Sequence, residues 1–136
     1  MNPAVHEGGC LCGRIRYRAG GVPFNASHCH CETCRRASGA PFVSWASIPA
    51  AAFAFTQGSP ARHDSSSFAY REFCRDCGTQ LVFRLIGADH VDITLASLDD
   101  PAAIVPLDHI WTKRQIAWIH LADGLPRFAE NRDDRG

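Results

Sequence analysis

Apolar and polar residues alternate in short runs along much of this chain. Residues 13–19 read GRIRYRA, so Ile15 and Tyr17 would face a core while Arg14, Arg16 and Arg18 face water, the period of two that marks a half-buried strand. Comparable runs are residues 42–48 (FVSWASI), 68–73 (FAYREF), 79–86 (TQLVFRLI), 90–98 (HVDITLASL) and 115–122 (QIAWIHLA). All are rich in β-branched and aromatic residues, and Gly, Pro, Asn and Ser separate them at intervals of about 8–12 residues. A mainly β fold of short antiparallel strands and hairpins is therefore predicted. Only Glu32–Ser38 (ETCRRAS) reads as a helical turn, with Gly39 and Pro41 placed to stop it.

Length and charge narrow the function. A chain of 136 residues suits a single domain over residues 1–136. Its end, AENRDDRG over residues 129–136, has too few apolar anchors to pack and is expected to fray. Lysine plus arginine equals aspartate plus glutamate, 14 of each, which argues against nucleic acid or an anionic membrane as partner. The start, MNPAVHEGGC, lacks a basic segment followed by an apolar run, and no window reaches the roughly 18 apolar residues of a membrane span. A cytoplasmic location is expected.

The seven cysteines carry the chemistry. In a reducing compartment disulfides do not persist, so clustered thiols read as metal ligands or redox groups. Cys10 and Cys12 lie in GGCLCG, and Cys74 and Cys77 in FCRDCG, each pair followed by a glycine, Gly13 or Gly78. A glycine there can take positive φ and let backbone N–H groups turn back toward the sulfurs. Together the two turns could close a tetrahedral four-cysteine zinc site. FCRDCG could also be a redox pair, but that motif normally precedes a helix.

The remaining group is SHCHCETCRR, with Cys29, Cys31 and Cys34. Three thiolates with room for another ligand is the form of a catalytic zinc site; a fourth ligand from His28 or His30 would make it closed and structural. Spacing leaves both open, and it leaves open a partition of Cys10, Cys12, Cys29 and Cys31 on one metal with Cys34, Cys74 and Cys77 on the other. An open site would accept a substrate thiol as thiolate, since coordination removes its proton. Arg35 and Arg36 follow the last cysteine and would offset the added charge, or else form a solvated helix face. Arg71 would hold an anion or face solvent. His109 reads as a packed histidine or a cleft lining. Trp45, Trp111 and Trp118 read as core or cleft walls, and Asp99 and Asp100 before Pro101 as a turn.

These residues resemble the glutathione-dependent formaldehyde-activating enzyme family, whose domain is shared with centromere protein V. The resemblance runs in order through GGCLCGRIRY, CHCETCRRASGAPF, REFCRDCGTQL, ITLASLDDP and PLDHIWT followed by Trp118. It implies a β-tent organised around two zinc ions: Cys10, Cys12, Cys74 and Cys77 on a structural zinc, and Cys29, Cys31 and Cys34 on a catalytic one. It also implies a carbon–sulfur lyase that joins glutathione to formaldehyde.

Two functions are therefore expected to compete. One is a zinc-dependent enzyme making or breaking a carbon–sulfur bond on glutathione or another small-molecule thiol, with Cys29, Cys31 and Cys34 acting through zinc and Arg35 or Arg36 offsetting charge. The other is a non-catalytic zinc module for a protein partner.

Overall fold

The computed structural model describes residues 5–132. In chain order the strands are β1 (His6–Gly9), β2 (Arg16–Ala19), β3 (Phe24–Cys29), β4 (Val43–Pro49), β5 (Phe53–Gln57), β6 (Ala61–Asp64), β7 (Ala69–Phe73), β8 (Gln80–Leu85), β9 (His90–Thr94) and β10 (Asp108–Ile110). One α-helix, α1 (Glu32–Ser38), interrupts them. The mainly β architecture and the single helix match the sequence reading.

Strands β1, β2 and β5 form a three-stranded sheet, and the other seven form a sheet in the order β10-β3-β4-β9-β8-β7-β6. Every pairing is antiparallel except β10 on β3, where Asp108, His109 and Ile110 lie beside Ser27, His28 and Cys29 in parallel. The core sits between the sheets. Ile15, Tyr17 and Ala19 meet Ala46 and Ile48 of β4, Val82 of β8, and Val91 and Ile93 of β9, all buried. Because side chains alternate along a strand, the other face of the large sheet carries Trp45, Ser47, Phe83, Arg71 and Asp92, and that face lines a cleft.

Arg16 leaves the core face as expected and pairs with both carboxylate oxygens of Asp99. The turn read at Asp99 and Asp100 is present, closed by the amide of Ala103 on the carbonyl of Asp100.

Three expectations need correction. The run at residues 90–98 is a strand only to Thr94. Thr94 Oγ1 then donates to the carbonyl of Gln80 at 2.8 Å, and Ser97 Oγ returns to the carbonyl of Thr94, turning Leu95–Ser97 into a 3-10 turn. The run at residues 115–122 is not a strand. Its ladder position beside β10 is taken by the next segment, where the amide of Phe128 bonds the carbonyl of His109 and the amide of His109 bonds the carbonyl of Pro126. Trp118 is accordingly 67% exposed and belongs to neither core nor cleft.

Residues 129–132, the first part of the stretch expected to fray, make contacts with β10 and the residue after it. Arg132 is buried and grips both carboxylate oxygens of Asp108, and the carbonyl of Glu130 accepts from the amide of Trp111. The remainder of that stretch, residues 133–136, lies outside the described residues.

Tyr17 gives the core a pH signature. Its hydroxyl bonds Ser97 Oγ at 2.7 Å, and burial pushes its pKa from 10.0 up to about 12. Below pH 10 folded and unfolded chains both keep the proton; above it the unfolded chain releases it first, so stability falls as pH rises toward 12. The loss should be about 2–3 kcal/mol. Denaturant titrations from pH 9 to 12 should show a weaker alkaline decline in Tyr17→Phe than in the parent; parallel curves would contradict this.

Candidate metal centres and active-site cleft

Two groups of sulfurs converge. The ligand atoms of Cys10, Cys12, Cys74 and Cys77 all lie within 4.8 Å of one another, as do those of Cys29, Cys31 and Cys34. Among the separations are 3.6 Å for Cys10–Cys12, 3.7 Å for Cys12–Cys74 and 3.6 Å for Cys29–Cys34. A disulfide would need about 2.05 Å. A tetrahedron with zinc–sulfur bonds of about 2.3 Å has edges of about 3.8 Å, so both groups fit a soft divalent metal. The alternative partition of the cysteines would need sulfurs from different groups to meet, and they do not.

The four-sulfur group is built by two matching turns. The chain leaves β1 through Cys10 and Cys12 and leaves β7 through Cys74 and Cys77. Gly13 (φ 80°) and Gly78 (φ 81°) reverse it, with their amides on the carbonyls of Cys10 and Cys74. The amide of Ile15 reaches Cys10 Sγ at 3.3 Å. The hydroxyl and amide of Thr79 pull the pKa of Cys77 down to about 5. The group joins the small sheet to the large one.

The three-sulfur group is built by the end of β3 and the start of α1. Cys29 closes the strand. Cys31 caps the helix, its sulfur accepting from the amide of Cys34 at 3.3 Å. Cys34, one turn on, is buried on the same side. Bonds from Cys29 and Cys34 pull the Cys31 pKa down to about 2, and those from Cys31 and Cys34 push Cys29 up. Among the described residues no fourth His, Cys, Asp or Glu joins this group.

His28 and His30 are not positioned to close it. Alternation along the strand puts them on the opposite side from Cys29 and Cys31. His28 Nδ1 lies 2.7 Å from Ser44 Oγ, and its ring stacks on His109. His30 Nε2 lies 3.0 Å from His109 Nδ1, and His109 Nε2 lies 2.7 Å from Asp123 Oδ2. With the Asp123 carboxylate accepting from Nε2–H, His109 Nδ1 accepts from His30, which leaves His30 Nδ1 as the buried atom with no partner. Burial, with His109 and Arg127 adding to it, lowers the His30 pKa to about 4. His109 is thus packed and hydrogen-bonded, not part of the cleft.

The three cysteines open onto a cleft of about 780 Å³ walled by Trp45, Phe83 and Trp111. Asn25 (φ 51°) and Trp111 (φ 56°), the described non-glycine residues with positive φ, both line it. Strain of that kind gathers at functional sites.

The arginines correct the sequence reading. Arg36 bonds Glu32 one turn back, and Arg35 bonds the carbonyl of Arg114 at 3.4 Å; both are surface contacts, and neither side chain lines the cleft. Adjacency to Cys34 misled because successive helix residues turn about 100° away. Arg71 takes the place beside the sulfurs. It is 5% exposed, and its terminal nitrogen sits 3.9 Å from Cys34 Sγ and 3.3 Å from Thr33 Oγ1. Its guanidinium lies 4.9 Å from the Phe83 ring centre, and its Nε is buried without a partner. Among the described residues it has no salt bridge to a carboxylate. Converting Arg35 and Arg36 together to alanine should leave thiol affinity at the cleft within about twofold, consistent with exposed contacts worth little; a tenfold loss, measured by ligand titration, would return them to the site.

The comparisons agree with this geometry. A sequence model of the glutathione-dependent formaldehyde-activating enzyme family matches residues 5–114. An uncharacterized lyase of Schizosaccharomyces pombe is 41% identical over 85 residues, a match spanning 57% of this chain and 56% of that protein. A crystal structure of a Rhodobacter sphaeroides protein, a structural-genomics target, superposes with a TM-score of 0.60 at 21% identity, over 74% of this chain and 97% of that one, and is similar in fold. With its cysteine groups in place and the family match across most of its length, the chain belongs to the glutathione-dependent formaldehyde-activating enzyme family.

Proposed function

We propose that the protein is a zinc-dependent enzyme of the carbon–sulfur lyase type, acting on glutathione or another small thiol and its carbonyl adduct. The observation that carries this reading is a three-sulfur group opening onto a cleft, in a chain whose four-sulfur group is complete elsewhere. Family membership and the lyase name of the yeast relative support it.

Cys29, Cys31 and Cys34 would hold the metal, which when bound supplies a soft Lewis-acid position where a substrate thiol is deprotonated at neutral pH. With a divalent ion held there, Cys29, Cys31 and Cys34 as thiolates would give the centre a net charge near −1, to which a substrate thiolate would add one more. Arg71, beside Cys34, is placed to offset that charge. Trp45 and Phe83 shield the sulfurs from water and raise the worth of each charge contact. In the bond-forming direction a sulfur lone pair attacks the carbonyl carbon, the C=O π pair moves to oxygen, and oxygen takes up a proton equivalent to the one the thiol released. The reverse breaks the C–S bond.

Cys31→Ser tests the assignment. It should fold, retain about one metal per chain and lose the thiol-dependent change in the absorption of the cobalt-substituted protein. Loss of both metals together, or an unchanged thiol response, would count against it.

A further inference from the structure

Beyond the three sulfurs the cleft continues along the face of the large sheet, and the largest side chains lining it there are apolar. Trp45 and Phe83 form the floor next to Arg71. Leu85 follows Phe83 on the same face of β8, opposite Ala69 of β7. Phe68 stands just before β7, and Phe24 opens β3 opposite Ser47, five residues before Cys29. Because β3 bulges between Phe24 and Ser27, Phe24 and Cys29 pair with Ser47 and Val43, four residues apart on β4, or about 13 Å along the strand.

The outer residues are apolar yet open to solvent: Phe24 is 40% exposed, Phe68 63% and Leu85 38%, and all three line the cleft. Large exposed apolar side chains gathered along one groove mark a place where something apolar binds. Polar side chains share the wall, Ser65, Ser66, Asp89 and His90 among them, while Ser47 donates to Asp92 at 2.6 Å and Glu32 is engaged by Arg36. Arg71 stands at the sulfur end, where it serves the charge of the reacting group.

We propose that the sulfur-bearing substrate carries an extended apolar arm of aryl-alkyl size, which lies from the three-cysteine group along Trp45 and Phe83 toward Phe24, Phe68 and Leu85. Thiols and thiol adducts with an aromatic group are then preferred over polar thiols of similar reactivity. The inference rests on the reading of Cys29, Cys31 and Cys34 as a thiol-binding metal site. It adds what that reading lacks, the chemistry of the rest of the substrate.

The experiment titrates cobalt-substituted protein with 6-phenylhexanethiol, whose phenyl group reaches about 12 Å from the sulfur, 2-mercaptoethanol and glutathione, following the thiolate-to-metal absorption. 6-Phenylhexanethiol should bind at least about 10–100-fold more tightly than 2-mercaptoethanol, the gain expected for burying a phenyl group. In a Phe24→Ala/Phe68→Ala variant that advantage should fall about fivefold or more, with 2-mercaptoethanol affinity unchanged. Both side chains are partly exposed, so folding should survive, and metal content and thermal melting check that it does. If every thiol binds but the phenyl group brings no advantage, or the advantage persists in the variant, the apolar-arm inference is overturned while the thiol site stands. If no thiol changes the spectrum, the underlying reading fails and the inference with it.

Discussion

Cys74→Ser is expected to cost the protein one metal and much of its stability together. Cys74 is fully buried in the core between the two sheets, and its sulfur meets that of Cys12 across 62 residues of sequence. The four-sulfur group ties the turn after β1 to the turn after β7. Structural zinc contributes on the order of 10 kcal/mol of apparent binding free energy in small domains, a quantity comparable with the whole stability of a typical fold. Thermal melting of Cys74→Ser should therefore drop by 15 °C or more (on the order of 3–5 kcal/mol). Cys31→Ser, which removes the other metal, should melt close to the parent. Melting temperatures and metal analysis on the pair check the division: equal destabilisation would mean that both groups are structural.

Arg71→Met is expected to separate binding from stability. The change removes a charge-assisted interaction worth about 1.5–3 kcal/mol to a bound thiolate, or roughly 10–150-fold in affinity. Arg71 has no carboxylate salt-bridge partner among the described residues, so the change strands no carboxylate, and the Met side chain keeps apolar contact with Phe83. Thiol titration of the cobalt protein should thus show a large loss while the melting temperature holds or rises and metal content is unchanged. Arg71→Lys should recover part of the affinity, since its charge survives but its planar stacking on Phe83 does not. Unchanged affinity in Arg71→Met would remove Arg71 from the site.

Much of the fold was legible because its strands are half-buried. The alternation at residues 13–19 put Ile15 and Tyr17 in the core, and both are buried there. The helix was legible to the residue, since Cys31 caps it and Gly39 ends it with positive φ. What escaped depends on pairing partners distant in sequence. Residues 115–122 have strand-like composition but no ladder, because Pro126 and Phe128 bond β10 instead. The three-residue β10 is too short to announce itself, and its parallel pairing with β3 is a tertiary fact.

The cysteine groups were legible as groups because ligand pairs are local in sequence. The arginine beside them was not. Arg35 and Arg36 are neighbours in the chain but are turned to the surface by the helix, whereas Arg71 arrives from 37 residues away. The signal that could have found it lay in FAYREF, where alternation puts Arg71 on one strand face with Ala69 and Phe73, a charge among apolar neighbours. In SHCHC the same alternation sets His28 and His30 on one side of the chain and Cys29 and Cys31 on the other.

The central claim is that the three-cysteine group is an open metal site that takes a substrate sulfur. X-ray absorption at the zinc edge reads it directly by counting sulfurs. Two sites with four and three protein sulfurs should average about 3.5 sulfurs per metal, rising to about 4 when a thiol is added. A count that stays at about 3.5 with excess thiol, with a nitrogen ligand retained, would contradict the account.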